Sequence, residues 1–431
     1  MLKTKAILTS LILTITTHTL LAQGQGNTPY SSFGYGELSE SSNASQDMMG
    51  GTGASFSNGF YVNQINPALI VKNRVASGLK YVSLNVGFKG NNRTITTTDQ
   101  AQQEFGFNLN KLSLTSAITP NWAMSVIMSP YSMVDHHSLV SLPIVGRENE
   151  VSTYENVFKG GISRVAYANS FRLFNDLYIG LEGHYNFGTI TKDSSSYLFN
   201  NAADQLRTSN RYTLKGASLK VGLAYQQKLN EKWRFNVGGA FEKSSTFKGD
   251  LLKTYAPFTD IGNGPFLTRS PDTLSFNPIS ISTPTQYTAG ISLESPFHWI
   301  FAADYHTTRW AGHKNLDQLA ETVIQNSDEY KFGLEYLPNA NSTKYFNQVF
   351  YRLGFATSNG PFVINGQQIK DNRVTFGLSM PMGFRNPSYI NLGIALGNRG
   401  VTDNNLIKEN YIRFSISTSL LSPWYIKPKI D

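Results

Sequence analysis

YIRFSISTSL, residues 411–420, sets Ile412, Phe414, Ile416, Thr418 and Leu420 on one face of an extended chain and Arg413, Ser415, Ser417 and Ser419 on the other. Successive side chains of a β-strand point to opposite sides, so this period of two predicts a strand with one apolar and one polar face. The split recurs upstream. Over 177–187, Leu177, Ile179, Leu181, Tyr185 and Phe187 oppose Tyr178, Gly180, Glu182, His184 and Asn186. Trp233, Phe235, Val237 and Phe241 oppose Arg234, Asn236 and Glu242, and Tyr330, Phe332, Leu334 and Tyr336 oppose Lys331 and Glu335.

Such strands build either a soluble sandwich or a membrane barrel, and their connections separate the two. The segments TPNW (119–122), FND (174–176), LNEK (229–232) and SPF (295–297) read as tight turns. Between them lie long polar stretches at 89–104, 135–157, 191–211, 247–284, 309–328, 358–370 and 399–408. Short turns on one side and long loops on the other is the asymmetry of bacterial outer-membrane barrels. Trp122, Trp233 and Trp299 sit at or beside the tight turns and Trp424 follows the last strand, which places all four at one membrane interface. Trp310 falls at the opposite rim. The fold expected is all-β, a transmembrane antiparallel barrel of 14 strands over 79–88, 105–119, 122–134, 158–173, 177–190, 212–228, 233–246, 285–294, 298–308, 329–337, 346–357, 371–381, 388–398 and 409–421. A missed hairpin makes it 16. The even number brings both ends of the barrel (77–421) to the periplasm.

Composition agrees. The 431 residues hold 22 Tyr and 27 Phe, and only 15% are charged, too aromatic for disorder and too poor in charge for an ordinary soluble enzyme. Without cysteine there is no disulfide framework, thiolate metal site or cysteine nucleophile. The net charge of +8 is spread along the chain with no long basic run, which argues against nucleic acid.

The first residues, MLKTKAILTSLILTITTHTLLAQ, have Lys3 and Lys5, an apolar core and Ala22, the layout of a secretory signal peptide over 1–22. Residues 23–76 do not alternate. They either trail as a periplasmic tail or fold into the lumen as a plug, or hatch; their apolar residues favour the plug, and a 14-strand barrel encloses more space than its own side chains fill. Asn66 and Pro67 read as the N-cap and first position of a short helix in NPALIVKNR. A C-terminal tail is expected over 422–431.

Three stretches carry a resemblance: PYSSFGYGEL (29–38), MGGTGASFSNGFYVNQINPA (49–68) and INLGIALGNRGVTDNNLIKENYIRFSISTSL (390–420). The chain resembles a divergent member of the FadL-like outer-membrane family of long-chain fatty-acid and aromatic-hydrocarbon transporters. The resemblance implies a hatch motif at Gly50, Gly51, Gly53, Asn66, Pro67 and Ala68. It also implies a gap in the wall through which a hydrophobic ligand leaves sideways.

The sequence carries no recognisable catalytic or metal-binding pattern. Gly53 is followed by Ala54 and Ser55, not by the Gly-Lys-Ser/Thr of a phosphate loop. His136 and His137 point opposite ways on an extended chain, which does not suit a shared metal. Alternation turns Arg164, Arg172, Lys220, Arg234, Lys331, Arg352, Arg373 and Arg413 inward with Glu182, Glu242, Glu294, Asp304 and Glu335, and these read as a mutual salt-bridge network. Neither an enzyme nor a cofactor is expected. The leading reading is hatch-gated uptake of a hydrophobic, fatty-acid-like small molecule, with Phe56, Phe60, Tyr61 and Leu69 as ligand contacts. Loops 247–284 and 191–211 would capture that molecule. The alternative is a non-transporting barrel subunit of an outer-membrane secretion or assembly complex, which the charged lumen slightly favours. Either way the surroundings are the lipid and lipopolysaccharide of a Gram-negative outer membrane. Intact-mass measurement of the envelope protein is expected to give a chain beginning at Gln23; a chain that keeps residues 1–22 overturns the cleavage after Ala22.

Overall fold

The computed structural model describes residues 26–40, 42–72, 81–144, 146–198, 205–260, 265–267, 271–310, 322–383 and 388–423. The signal peptide, Trp424 and the tail beyond Pro423 lie outside them. Fourteen antiparallel strands close into a barrel. They are β1 (Tyr81–Thr96), β2 (Ala101–Thr119), β3 (Trp122–Ile144), β4 (Arg147–Leu173), β5 (Leu177–Leu198) and β6 (Gln205–Lys228). β7 runs Arg234–Glu242 and resumes as Thr246–Asp260, and β8 runs Asp272–Ser282 and resumes as Thr285–Ser295. β9 (Trp299–Arg309), β10 (Ser327–Tyr336), β11 (Phe350–Ile364), β12 (Gln367–Pro381), β13 (Tyr389–Arg399) and β14 (Lys408–Pro423) complete the ring. β14 pairs with β1 from Lys408↔Thr96 to Pro423↔Tyr81, so this junction leaves no open edge.

The two halves of β7 and β8 count once each because one register runs through both. Glu242 faces Gln286 below the interruption and Thr246 faces Ser282 above it. Against β6 the register slips by one residue, from Lys220↔Glu242 to Lys215↔Lys248, so β7 carries a bulge there.

Burial is inverted relative to a soluble protein. Leu181, Leu223 and Phe332 are 48%, 54% and 52% exposed, while Asn186 and Asn236 are fully buried. The exposed apolar residues form the lipid-facing band of an outer-membrane barrel, and the polar ones line its interior. Trp122 and Trp299 open strands at the tight-turn end, Trp299 stacked on Tyr336 at 4.1 Å and Trp122 on Phe171 at 6.1 Å. Trp310 departs from an interfacial role. It follows Asp304, His306 and Thr308 in parity, and so points inward and packs on Tyr35 at 6.0 Å.

The long polar stretches are mostly strand rather than loop. β4 spans 27 residues and β6 spans 24, and the β7–β8 hairpin occupies most of 247–284. Beyond the lipid both faces of a strand meet water, so apolar alternation fades while the backbone ladder continues. The elongation is one-sided: β9, β10 and β13 have only 11, 10 and 11 residues.

One junction is incomplete. The β2–β3 ladder stops at Leu112↔Met128. Above it the edge of β3 takes a two-residue strand from the N-terminal segment, Glu37↔Met133 and Leu38↔Ser132. Placing a charge in the lipid band tests the topology. Leu223→Arg is expected to lower the stability of the barrel by about 2–4 kcal/mol in folding titrations from urea into lipid vesicles, the cost of Arg near a bilayer midplane. An unchanged midpoint would remove Leu223 from the lipid face.

Candidate functional site

The candidate site is the inner face of the barrel and the described part of the N-terminal segment, 26–40 and 42–72, which packs on it. A short helix, Ala44–Asp47, starts with a capping box: Asn43 accepts from the Gln46 N–H at 3.0 Å and the Gln46 side chain accepts from the Asn43 N–H at 3.3 Å. The second helix, Pro67–Lys72, is 3₁₀ rather than α. Asn66 caps it as expected, with Oδ1 accepting from the Ala68 N–H at 3.0 Å. Its Nδ2 donates to the Ala54 carbonyl at 2.7 Å and to the Leu223 carbonyl of β6 at 3.0 Å, which ties the helix start to the wall. Pro67 and Ala68 lie so close to β5 and β6 that a Cβ at Gly180 or Gly222 would collide with them. Ser170 of β4 donates to the Ala68 carbonyl at 2.6 Å.

The glycines of the segment are held by backbone contacts. Gly50 has φ +69° and gives its N–H to Thr375 at 3.0 Å. Gly51, at φ +84°, faces Lys331 and Arg373. The N–H groups of Gly53 and Ala54 both donate to one carboxylate oxygen of Asp304, at 2.7 and 2.9 Å. These contacts need backbone at close range, which is where glycine serves best.

The four apolar residues do not converge. Phe56 and Tyr61 share a cluster with Met49, Ile300 and Ala302. Leu69 belongs to a second cluster with Val62, Ile70, Ala123, Ala168 and Tyr178. Phe60 packs on Phe297, Phe350 and Tyr389 at 6.0, 5.7 and 5.1 Å in a third. All but Phe60 are buried.

Charge pairing dominates the rest of the interior. Arg164 pairs with Glu242 at 2.6 Å, Arg352 with Glu335 at 2.7 Å and His184 with Glu182 at 2.7 Å. The acids of residues 26–72 are Glu37, Glu40 and Asp47, and each meets a base of the wall. Glu37 pairs with Arg399, and Asp47 with Lys89 at 2.9 Å. Glu40 lies among Arg373 and Arg413, both at 3.3 Å, and Lys89 at 3.9 Å. Burial raises its carboxyl pKa, but Arg373, Lys89, Arg413 and Lys331 outweigh burial and hold it well below the usual carboxylate range. These three acids were missed as site residues. The signal was present: the inward positions carry more bases than acids, and the segment beside them carries acids.

A cavity of about 300 Å³ remains between segment and wall, lined by Glu40, Lys89, Lys111, Arg164, Glu182 and Lys220 among others. Among the described residues no cluster of three or more His, Asp or Glu has the arrangement of a metal site. Asp304→Ala removes the acceptor of two buried N–H groups. It is expected to cost about 1–3 kcal/mol for each orphaned donor, read as faster protease cleavage near Gly53 in a barrel that still migrates as folded. Unchanged cleavage would mean that Asp304 does not hold the segment.

Solved structures share this fold. The toluene transporter TodX of Pseudomonas putida aligns at 13% identity with a TM-score of 0.57, over 90% of this chain and all of that one. The toluene transporter TbuX of Ralstonia pickettii aligns at 14% identity and 0.56, over 90% of this chain and 99% of that one. A FadL homologue of Pseudomonas aeruginosa aligns at 9% identity and 0.56, over 91% and 100%. At such identities the likeness establishes the fold, an outer-membrane-type barrel of the kind that hydrocarbon transporters use. No curated protein matches the chain. The family described as BamG matches it from residue 1 to residue 431, and the chain therefore belongs to the BamG family.

Proposed function

We propose that the chain is a non-transporting barrel, a structural subunit of an outer-membrane assembly or secretion complex, in which residues 23–76 are a plug that stays in place. The observation that carries this reading is the Glu40 clasp: one carboxylate of the segment gathers Arg373 of β12, Arg413 of β14 and Lys89 of β1. A plug that moved would part Glu40 from Lys89 and Arg413 and Asp47 from Lys89, while Arg373 would keep Glu329 of the wall at 2.6 Å; separating ion pairs inside a barrel is costly. A hydrophobic solute would also have to pass a cavity whose lining includes Glu40, Lys89, Arg164 and Glu242. The expected signal peptide and the lipid-facing band support a position in the outer membrane of a Gram-negative cell.

Hatch-gated uptake of a hydrophobic small molecule is the second reading. The fold likeness to toluene transporters along nearly their whole length favours it. Phe56, Phe60, Tyr61 and Leu69 would then release their packing as the hatch moved.

Two measurements separate the readings. Purified in mild detergent from its native membrane, the protein is expected to bring partner proteins at fixed stoichiometry, and alone it is expected to leave planar bilayers closed to ions. Deleting 46–70 is expected to open them. An isolated wild-type barrel with elongated lipid-like density beside the segment would overturn the subunit reading, and unchanged conductance in the deletion would overturn the plug.

A further inference from the structure

We propose that the basic row on the outward face of β4, β6 and β7, formed by Lys159, Arg211, Lys215 and Lys248, binds the phosphate groups of a lipopolysaccharide molecule in the outer leaflet. The inference rests on the outer-membrane position given above and is independent of whether the barrel transports or scaffolds.

Strand parity builds the row. Phe158, Ile190, Tyr212, Leu214 and Phe247 pack into one apolar cluster with Tyr35 of the N-terminal segment, on the inner side of the wall. Their neighbours in the chain, Lys159, Thr191, Arg211, Lys215 and Lys248, therefore turn outward. All four bases are exposed. Lys159 of β4 faces Thr191 of β5, which faces Arg211 of β6. Lys215 of β6 faces Lys248 of β7 directly. The bulge in β7 makes that meeting possible. Below it Glu242, opposite Lys220, points inward; the register then slips by one residue, which reverses the faces and sends Lys248 outward. Like charges directly opposite on neighbouring strands are destabilising. Asp250 shares this face, opposite Thr213, yet among the described residues none of the four bases has an acid within ion-pair distance.

Depth selects the counter-charge. On β6 the outward residues below Lys215 are Ala217, Leu219, Val221, Leu223 and Tyr225, the lipid-facing band. Lys215 is the first outward residue beyond that band, and Arg211 stands roughly 14 Å further along the strand. Both lie at the end of the barrel away from Trp122 and Trp299. This is the headgroup level of the outer leaflet, where lipopolysaccharide carries phosphate on sugar rings. Phosphate supplies the negative charge that the facing lysines lack, and an Arg guanidinium can meet it with two parallel N–H bonds. Thr191 and Thr213 set hydroxyls beside the bases at sugar height, and acyl chains below meet Leu219 and Phe187, which is the partner of Lys215 on β5. An acidic protein would match the charge but not the apolar wall that continues beneath it.

Native mass spectrometry of the barrel in neutral detergent tests this, with bis-phosphorylated lipid A, its dephosphorylated form and phosphatidylglycerol added in turn. The expected result is one bis-phosphorylated lipid A retained per chain. The dephosphorylated form, phosphatidylglycerol and the double variant K215Q/K248Q with lipid A should each bind at least ~10-fold more weakly, the scale of a few lysine–headgroup contacts. K232Q, in the tight turn at the opposite end, should bind as the wild type does. Removing two opposed like charges should leave the double variant as stable as the wild type in detergent, so that lost binding reports a lost site and not a lost fold. Equal retention of dephosphorylated lipid A, or unchanged binding by K215Q/K248Q, overturns the proposal. Phosphatidylglycerol bound as tightly as lipid A assigns the row to lipid phosphate in general and overturns the lipopolysaccharide site. A chain that fractionates outside the outer membrane overturns the position itself, a result read separately from any binding.

Discussion

In hydrocarbon a backbone N–H or C=O has no water to turn to, and a sheet that spans it must satisfy every such group from its own ladder. The pairing of β14 with β1 is the answer this chain gives, and the rest of the molecule follows from it. Closure forces the apolar residues outward and the polar ones inward. Fourteen strands then enclose a lumen too wide for their own side chains. The N-terminal segment and the ion pairs that hold it are the consequence of that width.

The lumen is also where this protein departs from a simple conduit. Its fold is shared with toluene transporters, but its interior is organised around charge. Arg164 with Glu242 and Arg352 with Glu335 are pairs made within the wall, while Glu37, Glu40 and Asp47 complete others from the segment. Buried charges are tolerable when paired and costly when separated. An interior built this way resists motion of its parts. The common backbone says little about this, since function resides in the lining.

Much of the architecture was legible in the residues. Leu177–Phe187 shows its two faces directly, and the strand count and the level of Trp122 and Trp299 follow from similar local patterns. The inward direction of Arg164, Glu242 and Asp304 also follows from parity alone. What could not be read is of two kinds. Strand above the lipid, as in 191–198 and 205–211, loses its alternation because both faces are wet. Contacts between distant parts of the chain leave no local trace. The meeting of Glu40 with Arg373, the dispersal of Phe56, Phe60 and Leu69 into separate clusters, and the end of the β2–β3 ladder at Leu112 all depend on register across the barrel.

The flush fit of the Asn66-Pro67-Ala68 turn against Gly180 and Gly222 bears on biogenesis. The segment sits inside a ring whose last junction is made by β14, and it precedes β1 in the chain. Threading it into a finished barrel would drag three acids through a constricted, like-sized passage. Synthesis runs the other way: the segment is made first and the closing strand last. The wall can wrap a core that is already present, so that β14 seals the contents in as it zips to β1. The segment would then act as the former on which the early strands curl, and the wall glycines would record where that former lay.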